Sequence, residues 1–199
     1  MAQGNAAEQC IQQSIAEHLA LAQSVARQHA GVIAGIAAAM IACMQKDGAI
    51  YWCGNGGSAA DSQHLAAELI GRFKRERRAI RSAALTTDTS ALTALGNDYG
   101  FNMIFSRQLE GMGRKGDILV GISTSGNSAN ILLAMQQARK MGVGTVGFLG
   151  RDGGKIKAEC QHAFIVPSSD TARIQEMHIM AGHIVCDLVE QAAEDAPPR

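Results

Sequence analysis

Apolar residues follow two different periods along this chain. Between about residues 6 and 46 they recur every three to four positions, as at Ile11 and Ile15, which predicts helical structure. Gly31 and Gly35 interrupt that pattern, so we predict two helices in this N-terminal segment. Beyond it, short β-type runs alternate with helical segments.

The alternation predicts an α/β fold. Predicted strands cover residues 49–53, 80–85, 117–122, 144–149 and 163–166. Helical patterns cover residues 59–70, 89–95, 104–111, 129–140 and 171–191. Strands joined through helices form a parallel sheet with helices on both faces, and ligands bind at the carboxyl ends of such strands. We expect one domain over residues 1–199, with a frayed tail at 192–199.

Composition and charge narrow the possible functions. Lys plus Arg number 18 and Asp plus Glu also number 18, so the basic excess typical of nucleic-acid binding is missing. Apolar runs fall short of the ~20 residues that cross a bilayer, and residues 1–18 do not resemble a secretory signal. The five cysteines are odd in number and widely spaced, which indicates reduced thiols. We therefore expect a cytoplasmic protein without nucleic-acid or membrane partners.

Two loops follow predicted strands and precede helices. The sequence GNGGS at 54–58 lets the backbone approach a ligand closely, but it is equally compatible with a bare turn. The sequence STSGNS at 123–128 places four hydroxyls at a helix N-terminus. Helix capping accounts for one of these hydroxyls. The set therefore favours a phosphate cradle.

A candidate metal or acid–base site follows the first loop. His64 and Glu68 are four residues apart and share a helix face, with Asp61 one turn earlier. An imidazole and a carboxylate could begin a Zn²⁺ site, although such pairs are more often surface contacts.

The last predicted helix could complete this site. Its candidates are Gln175, Glu176, His178 and His183. Gln175 and His183 lie about 12 Å apart along the helix axis, and spacing alone does not choose between Gln175 and Glu176 or between His183 and His178.

Several motifs together resemble one family. They are GNGGSAAD at 54–61, QH at 63–64 with Glu68, GND at 96–98, GISTSGNS at 121–128 and RIQEMH at 173–178. In this order they resemble the bacterial phosphoheptose isomerases, members of the sugar isomerase (SIS) domain class, over nearly the whole chain. The serine-rich loop alone marks only the wider class.

The resemblance implies a flavodoxin-like SIS domain in a homotetramer with active sites between subunits and one Zn²⁺ per subunit. It implies metal ligands at His64, Glu68, Gln175 and His183. It implies substrate contacts at Asn55, Gly56, Gly57, Asn97, Asp98, Ser123, Thr124, Ser125 and Ser128. We add as candidate substrate contacts Ser58, Asp61, Glu68, Arg72 and Gln175.

The implied reaction interconverts sedoheptulose 7-phosphate and D-glycero-D-manno-heptose 7-phosphate through an enediol, for heptose and lipopolysaccharide precursors. We assign Glu68 as base and His183 as acid, while zinc polarises the carbonyl. Asp61 could assist ring opening, or serve only as a carboxylate in the first turn of its helix.

Two alternatives stay open. Some relatives of this family are tetrameric adaptors that bind the bacterial replication initiator, but these lack the metal-site carboxylate and second histidine that Glu68 and His183 provide here. Alternatively, the chain could sense or isomerise a hexose or amino-sugar phosphate, which the same phosphate cradle would accept.

Overall fold

Five parallel strands form the centre of the molecule in the computed structural model, which describes residues 2–194. The strands are β1 Ile50–Gly54, β2 Ser82–Ala84, β3 Ile118–Ser123, β4 Gly144–Gly150 and β5 His162–Val166. They form one sheet in the order β2-β1-β3-β4-β5, and every neighbouring pair is parallel. The predicted parallel α/β architecture is confirmed.

Helices connect the strands and cover both faces of the sheet. They are α1 Ala2–Gln28, α2 Ala30–Gln45, α3 Gly57–Ile70, α4 Thr89–Asp98, α5 Ile104–Met112, α6 Ala129–Met141 and α7 Thr171–Glu194. Short 3₁₀ helices cover Phe101–Met103 and Lys155–Glu159.

Side chains that alternate along the strands divide the core into two layers. Trp52 and Val120 belong to the layer that contains α2, α3 and α7. Tyr51 and Leu119 belong to the opposite layer, which contains α5 and α6. Helices α3 and α7 therefore pack on the same face of the sheet, which lets their side chains meet.

The break between the first two helices lies at His29 rather than at the glycines. Gly31 and Gly35 both fall inside α2, so that part of the prediction is wrong. The buried face of α2, which includes Ile36 and Met40, packs in the core. This burial outweighs the helix cost of glycine, which is about 1 kcal/mol per residue.

Two further observations concern the ends of the chain. Among the described residues, no single helix has the length and apolar character needed to cross a membrane; α1 and α2 meet that test only as a pair, and they are bent by 68°. At the other end, residues 192–194 continue α7, contrary to the predicted frayed tail, and residues 195–199 lie outside the described residues. That residues 1–199 form one domain stays a prediction.

Candidate active site

The turn from β1 into α3 depends on its glycines. A Cβ at Gly54 would lie 2.3 Å from the Ser58 carbonyl oxygen, so only glycine fits there. Gly56 has φ +56° and is the N-cap of α3, which offers no side chain to cap the helix. The backbone N–H groups of the first turn of α3 therefore lie beside an open approach. Ser58, a predicted substrate contact, is instead buried beneath this turn.

The serine-rich loop from β3 into α6 has its own hydroxyl cluster. Ser123 Oγ lies 3.0 Å from Ser128 Oγ and 3.5 Å from Ser125 Oγ. Ser128 is the N-cap of α6, yet its side chain makes no capping hydrogen bond. The hydroxyls thus turn toward one another instead of capping the helix. This arrangement favours a cradle for an anion over simple capping.

The two loops lie side by side. Gly54 is paired with Ile122, the residue before Ser123, so the carboxyl ends of β1 and β3 are adjacent. The side-chain amides of Asn55 and Asn130 exchange two hydrogen bonds, of 3.0 and 2.8 Å, and so join the first loop to the first turn of α6. The chain leaves β1 toward β2 at one edge of the sheet and leaves β3 toward β4 in the opposite direction. Ligands bind at such a switch point in open α/β sheets.

A cleft of about 180 Å³ opens beside the first loop. Its lining joins the glycines and Asn55 to Thr86, Leu92, Phe101 and Phe105 from the next segments of the chain. The sequence analysis did not identify Asn130 or the four lining residues Thr86, Leu92, Phe101 and Phe105. Asn130 could have been suspected because it is a polar amide in the first turn of the helix that follows the serine-rich loop.

Three predicted residues meet where α3 packs against α7. His64 Nε2 lies 2.8 Å from His183 Nε2 and 3.2 Å from Glu68 Oε1. The donor atoms of all three side chains lie within 4.8 Å of one another. The His183 ring is held on two sides, since Phe73 stacks on it at 5.3 Å between ring centroids and His64 meets it edge-on at 5.0 Å.

Burial is the largest influence on the pKa values of His183 and of nearby Asp61. Burial lowers the pKa of His183, neighbouring His64 lowers it further, and Glu68 opposes the shift. A neutral His183 keeps one N–H and one free nitrogen. Burial also raises the pKa of Asp61, one turn before His64, against the opposing effect of His64. Asp61 Oδ2 is buried and has no hydrogen-bond partner among the described residues.

The cluster suits a divalent metal by its donor chemistry. Two imidazole nitrogens that face each other at 2.8 Å need a proton or a cation between them, because two lone pairs would repel. Two imidazoles and a carboxylate, with lowered basicity at His183, form a donor set typical of zinc. His64, Glu68 and His183 could therefore hold such an ion.

The fourth predicted ligand, Gln175 of α7, contacts a different part of α3 from the histidine cluster. A Cβ at Gly57 would lie 2.6 Å from the Gln175 side-chain nitrogen, so the Gln175 amide packs on the first residue of α3. His64 lies seven residues, or about 10 Å along the axis, beyond Gly57. This placement brings Gln175 beside the glycine-rich loop. Its role as a ligand stays a prediction.

The remaining candidates lie on exposed parts of the chain. Arg72, just beyond α3, has a side chain that is 69% exposed and lies 3.8 Å from Glu76. Asn97 and Asp98 end α4, are exposed and share a 2.8 Å side-chain hydrogen bond. Thr124 is partly buried in the serine-rich loop. Within one subunit, the described contacts do not join these four residues to the histidine cluster.

Comparison with known proteins agrees with this fold. Residues 14–150 match the SIS domain family. A phosphoheptose isomerase of Nitratiruptor sp. is 63% identical over 72% of this chain and 76% of the relative, and one of Pelobacter propionicus is 54% identical over 87% and 92%. The structure of a phosphoheptose isomerase from Neisseria gonorrhoeae superposes with a TM-score of 0.88, at 44% identity, over 92% of this chain and 98% of that one.

The fold and the paired loops define a SIS domain. The extent and level of identity then narrow the class, and the chain belongs to the phosphoheptose isomerase family. The resemblance noted in the sequence is thereby confirmed.

Proposed function

We propose that the chain is an aldose–ketose isomerase that interconverts sedoheptulose 7-phosphate and D-glycero-D-manno-heptose 7-phosphate, with one zinc ion per subunit. The observation that carries the proposal is the convergence of His64, Glu68 and His183, whose donor atoms lie within 4.8 Å of one another. An isomerase needs a base, an acid and an electrophile, and this cluster can supply or hold each of them. A protein that only bound sugar phosphates would need none of them.

The distance between cluster and loops supports a long substrate. About 10 Å of helix α3 separate Gly57 in the first loop from His64. A ligand that places its phosphate on the serine-rich loop and its carbonyl at the cluster must therefore be extended. An open-chain sugar phosphate of six or seven carbons has that reach.

The reaction moves a carbonyl from C2 to C1. Glu68 removes the C1 proton of the open-chain ketose, the electrons of that C–H bond form the C1=C2 double bond, and His183 gives a proton to the ketone oxygen. The enediol then gives its C1 hydroxyl proton to His183, the electrons of that O–H bond form the C1 carbonyl, and Glu68 returns its proton to C2, which leaves the aldose and restores both side chains. Asp61 would assist ring opening, a role supported by its buried Oδ2, which has no hydrogen-bond partner among the described residues.

The zinc would be held by His64, Glu68 and His183, with Gln175 as the further predicted ligand. When bound, it would act as a Lewis acid that polarises the carbonyl and stabilises negative charge on its oxygen. Glu68 and His183 would orient that same carbonyl, because their side chains share the cluster.

An assay of the purified protein tests the proposal. Loss of sedoheptulose 7-phosphate and gain of the aldose heptose 7-phosphate are followed before and after chelation, and again after zinc is added back. Glu68→Gln and His183→Gln should each lower turnover at least a hundredfold. Glu76→Gln, which alters an exposed carboxylate beyond α3, is the control and should keep full turnover.

Two outcomes would direct the work elsewhere. If folded wild-type protein with zinc gives no turnover, the proposal is wrong, and binding to the replication initiator becomes the next assay. If a hexose or amino-sugar phosphate turns over faster and chelation leaves the rate intact, the substrate and the metal are both wrong.

We also propose that the active form is a homotetramer with active sites between subunits. On α1, Ile11, Ile15 and Leu19 are 55–59% exposed and form one apolar stripe. An apolar groove of about 250 Å³ between α1, α2 and α7 lies further along the same helix. Burial of both against other copies would explain this exposure. Light scattering should give four subunits for the wild type and fewer for Ile15→Arg; an unchanged mass would refute this interface.

Finally, we propose that the protein acts in the cytoplasm and supplies heptose for lipopolysaccharide precursors. Five free cysteines, three of them buried, support a reducing compartment. A strain without the protein that still makes heptose-containing glycan would contradict this role.

A further inference from the structure

Glu190 is a buried carboxylate that the proposed reaction does not use. It lies on α7, seven residues after His183 and on the same face of the helix, and it is fully buried. Buried carboxylates are rare unless they are paired or hydrogen-bonded. The partners of Glu190 therefore indicate what it does.

Those partners belong to the loop that follows α3. Glu190 accepts hydrogen bonds from three consecutive backbone N–H groups, those of Phe73 at 2.8 Å, Lys74 at 2.7 Å and Arg75 at 3.0 Å. Arg77 Nε, also buried, lies 3.4 Å from the carboxylate and balances its charge. Consecutive N–H groups aimed at one anion fix the local backbone. One side chain of α7 thus sets the path of residues 73–75.

The loop carries an aromatic ring to the histidine cluster. Phe73 stacks on the His183 ring at 5.3 Å between centroids and 18° between planes, and Lys74 Nζ lies 5.0 Å from the centroid of the Phe73 ring. Because its backbone N–H is held by Glu190, Phe73 has little freedom to leave His183. His183 in turn places its Nε2 at 2.8 Å from that of His64.

We propose that Glu190 is a positioning residue which, through the backbone of Phe73, fixes the His183 ring in the orientation that the metal and acid–base site requires. This inference rests on the proposed function for its effect on turnover. Its effect on metal binding can be measured without turnover. Groups that contact a metal ligand directly typically change metal affinity or activity by 10- to 100-fold. Phe73 makes such a contact and Glu190 acts through it, so we expect effects near the lower end of that range.

Four variants separate the parts of this arrangement. Phe73→Leu removes the stacked ring but keeps the backbone N–H that Glu190 holds, whereas Phe73→Tyr keeps the ring. Glu190→Gln replaces a carboxylate, whose two oxygens accept from the three N–H groups, with an amide. The amide keeps one accepting oxygen but presents an NH₂ donor in place of the other. Asp187→Asn is the matched control, since Asp187 binds the loop only through the side chains of Lys74 and Arg75.

Three measurements are made on each variant. Competition with a chromophoric chelator gives the zinc affinity of the metal-free protein, and steady-state assays give kcat and KM with sedoheptulose 7-phosphate. The third measurement is the rate of tryptic cleavage within the basic loop 72–78. We expect Phe73→Leu to lose about tenfold in zinc affinity and in kcat, with KM and cleavage little changed. Glu190→Gln should show the same losses together with faster cleavage. Phe73→Tyr and Asp187→Asn should stay within about twofold of the wild type.

The outcomes separate this inference from the proposed function. Wild-type zinc affinity and kcat in Phe73→Leu would overturn the positioning role, even if Glu190→Gln fails to fold because Arg77 is left unpaired. Active wild-type protein with unaffected variants would leave the isomerase standing and remove the role of Glu190. If the wild type is inactive but zinc affinity still falls in Phe73→Leu, the positioning role stands and the isomerase proposal is wrong.

Discussion

Protonation of His178 gives a direct test of the packing between α7 and the sheet. His178 is fully buried, its Nε2 lies 3.0 Å from the Leu149 carbonyl oxygen, and its Nδ1 is buried without a partner among the described residues. The rings of Phe148 and Phe164 lie about its imidazole at 5.9 and 6.1 Å between centroids. Burial lowers the pKa of His178 to about 4, although the hydrogen bond to Leu149 opposes the shift.

This lowered pKa makes stability depend on pH in a defined direction. The unfolded chain binds a proton at His178 below pH ~6.5, whereas the folded chain stays neutral until about pH 4. The folded state therefore keeps its full stability above pH ~6.5 and loses stability as the pH falls toward 4. Between pH 7.5 and pH 5.0 the loss from this one group is about 2 kcal/mol, at 1.36 kcal/mol per pKa unit.

Urea unfolding at both pH values, with chelator present throughout, measures this contribution. The free energy of unfolding of the wild type should fall between pH 7.5 and 5.0 by about 2 kcal/mol more than that of His178→Leu. His162→Gln, which removes a partly buried histidine of β5, is the control and should follow the wild type. If His178→Leu and the wild type lose the same free energy on acidification, His178 is not held neutral and the reasoning is wrong.

Two glycine substitutions test the loops, and a third tests helix α2. Gly126 has φ +66°, and a Cβ there would lie 2.2 Å from the Gly153 carbonyl oxygen. Gly126→Ala should therefore shift the serine-rich loop and raise KM at least tenfold. An unchanged KM would count against the phosphate cradle. Gly57→Ala meets only the flexible end of Gln175, so the melting temperature should change by no more than a few degrees while kcat/KM falls at least tenfold. Gly31→Ala enters open space within α2 and should stabilise the protein by about 0.5–1 kcal/mol in thermal unfolding; a loss of stability would contradict the assigned helix.

The positions of the strands and of the loops that follow them could be predicted from the sequence, because buried parallel strands are short apolar runs, whereas the strand order was not predicted. The runs that contain Trp52 and Val120 are buried at almost every position, and the glycine- and serine-rich segments directly follow them. The helix break did not follow from the sequence, because Gly31 and Gly35 carry a local preference that tertiary packing overrides. Local signals thus predicted the elements better than their boundaries.

Within the site, spacing along α3 placed His64 and Glu68 on one helix face, but spacing along α7 did not choose between His178 and His183. His178 and His183 are five residues apart, which at 100° per residue turns them about 140° away from each other. His178 points to the Leu149 carbonyl in the sheet, whereas His183 points to α3. The choice between them depends on which face of α7 meets the sheet, which only the packed structure fixes.

Residues that act through long-range contacts were beyond sequence reasoning. Phe73 and Glu190 are 117 positions apart, and the basic run around Phe73 has the composition of a solvated loop. No local pattern indicates that its backbone is fixed by a carboxylate on the last helix.

A stripe of polar residues on α7 contacts both ends of the segment from His64 to Arg75, which connects the histidine cluster with the loop that Glu190 holds. His183, Asp187 and Glu190 are spaced by four and three residues, so they form one stripe on the helix. Ala181, Val185 and Val189 of the same helix lie in the core. The segment from His64 to Arg75 packs along this stripe, first as helix α3 and then as the loop that Glu190 holds. Because both ends of that segment contact the same rigid helix, a change at Glu190 can reach His183 without any rearrangement of the sheet.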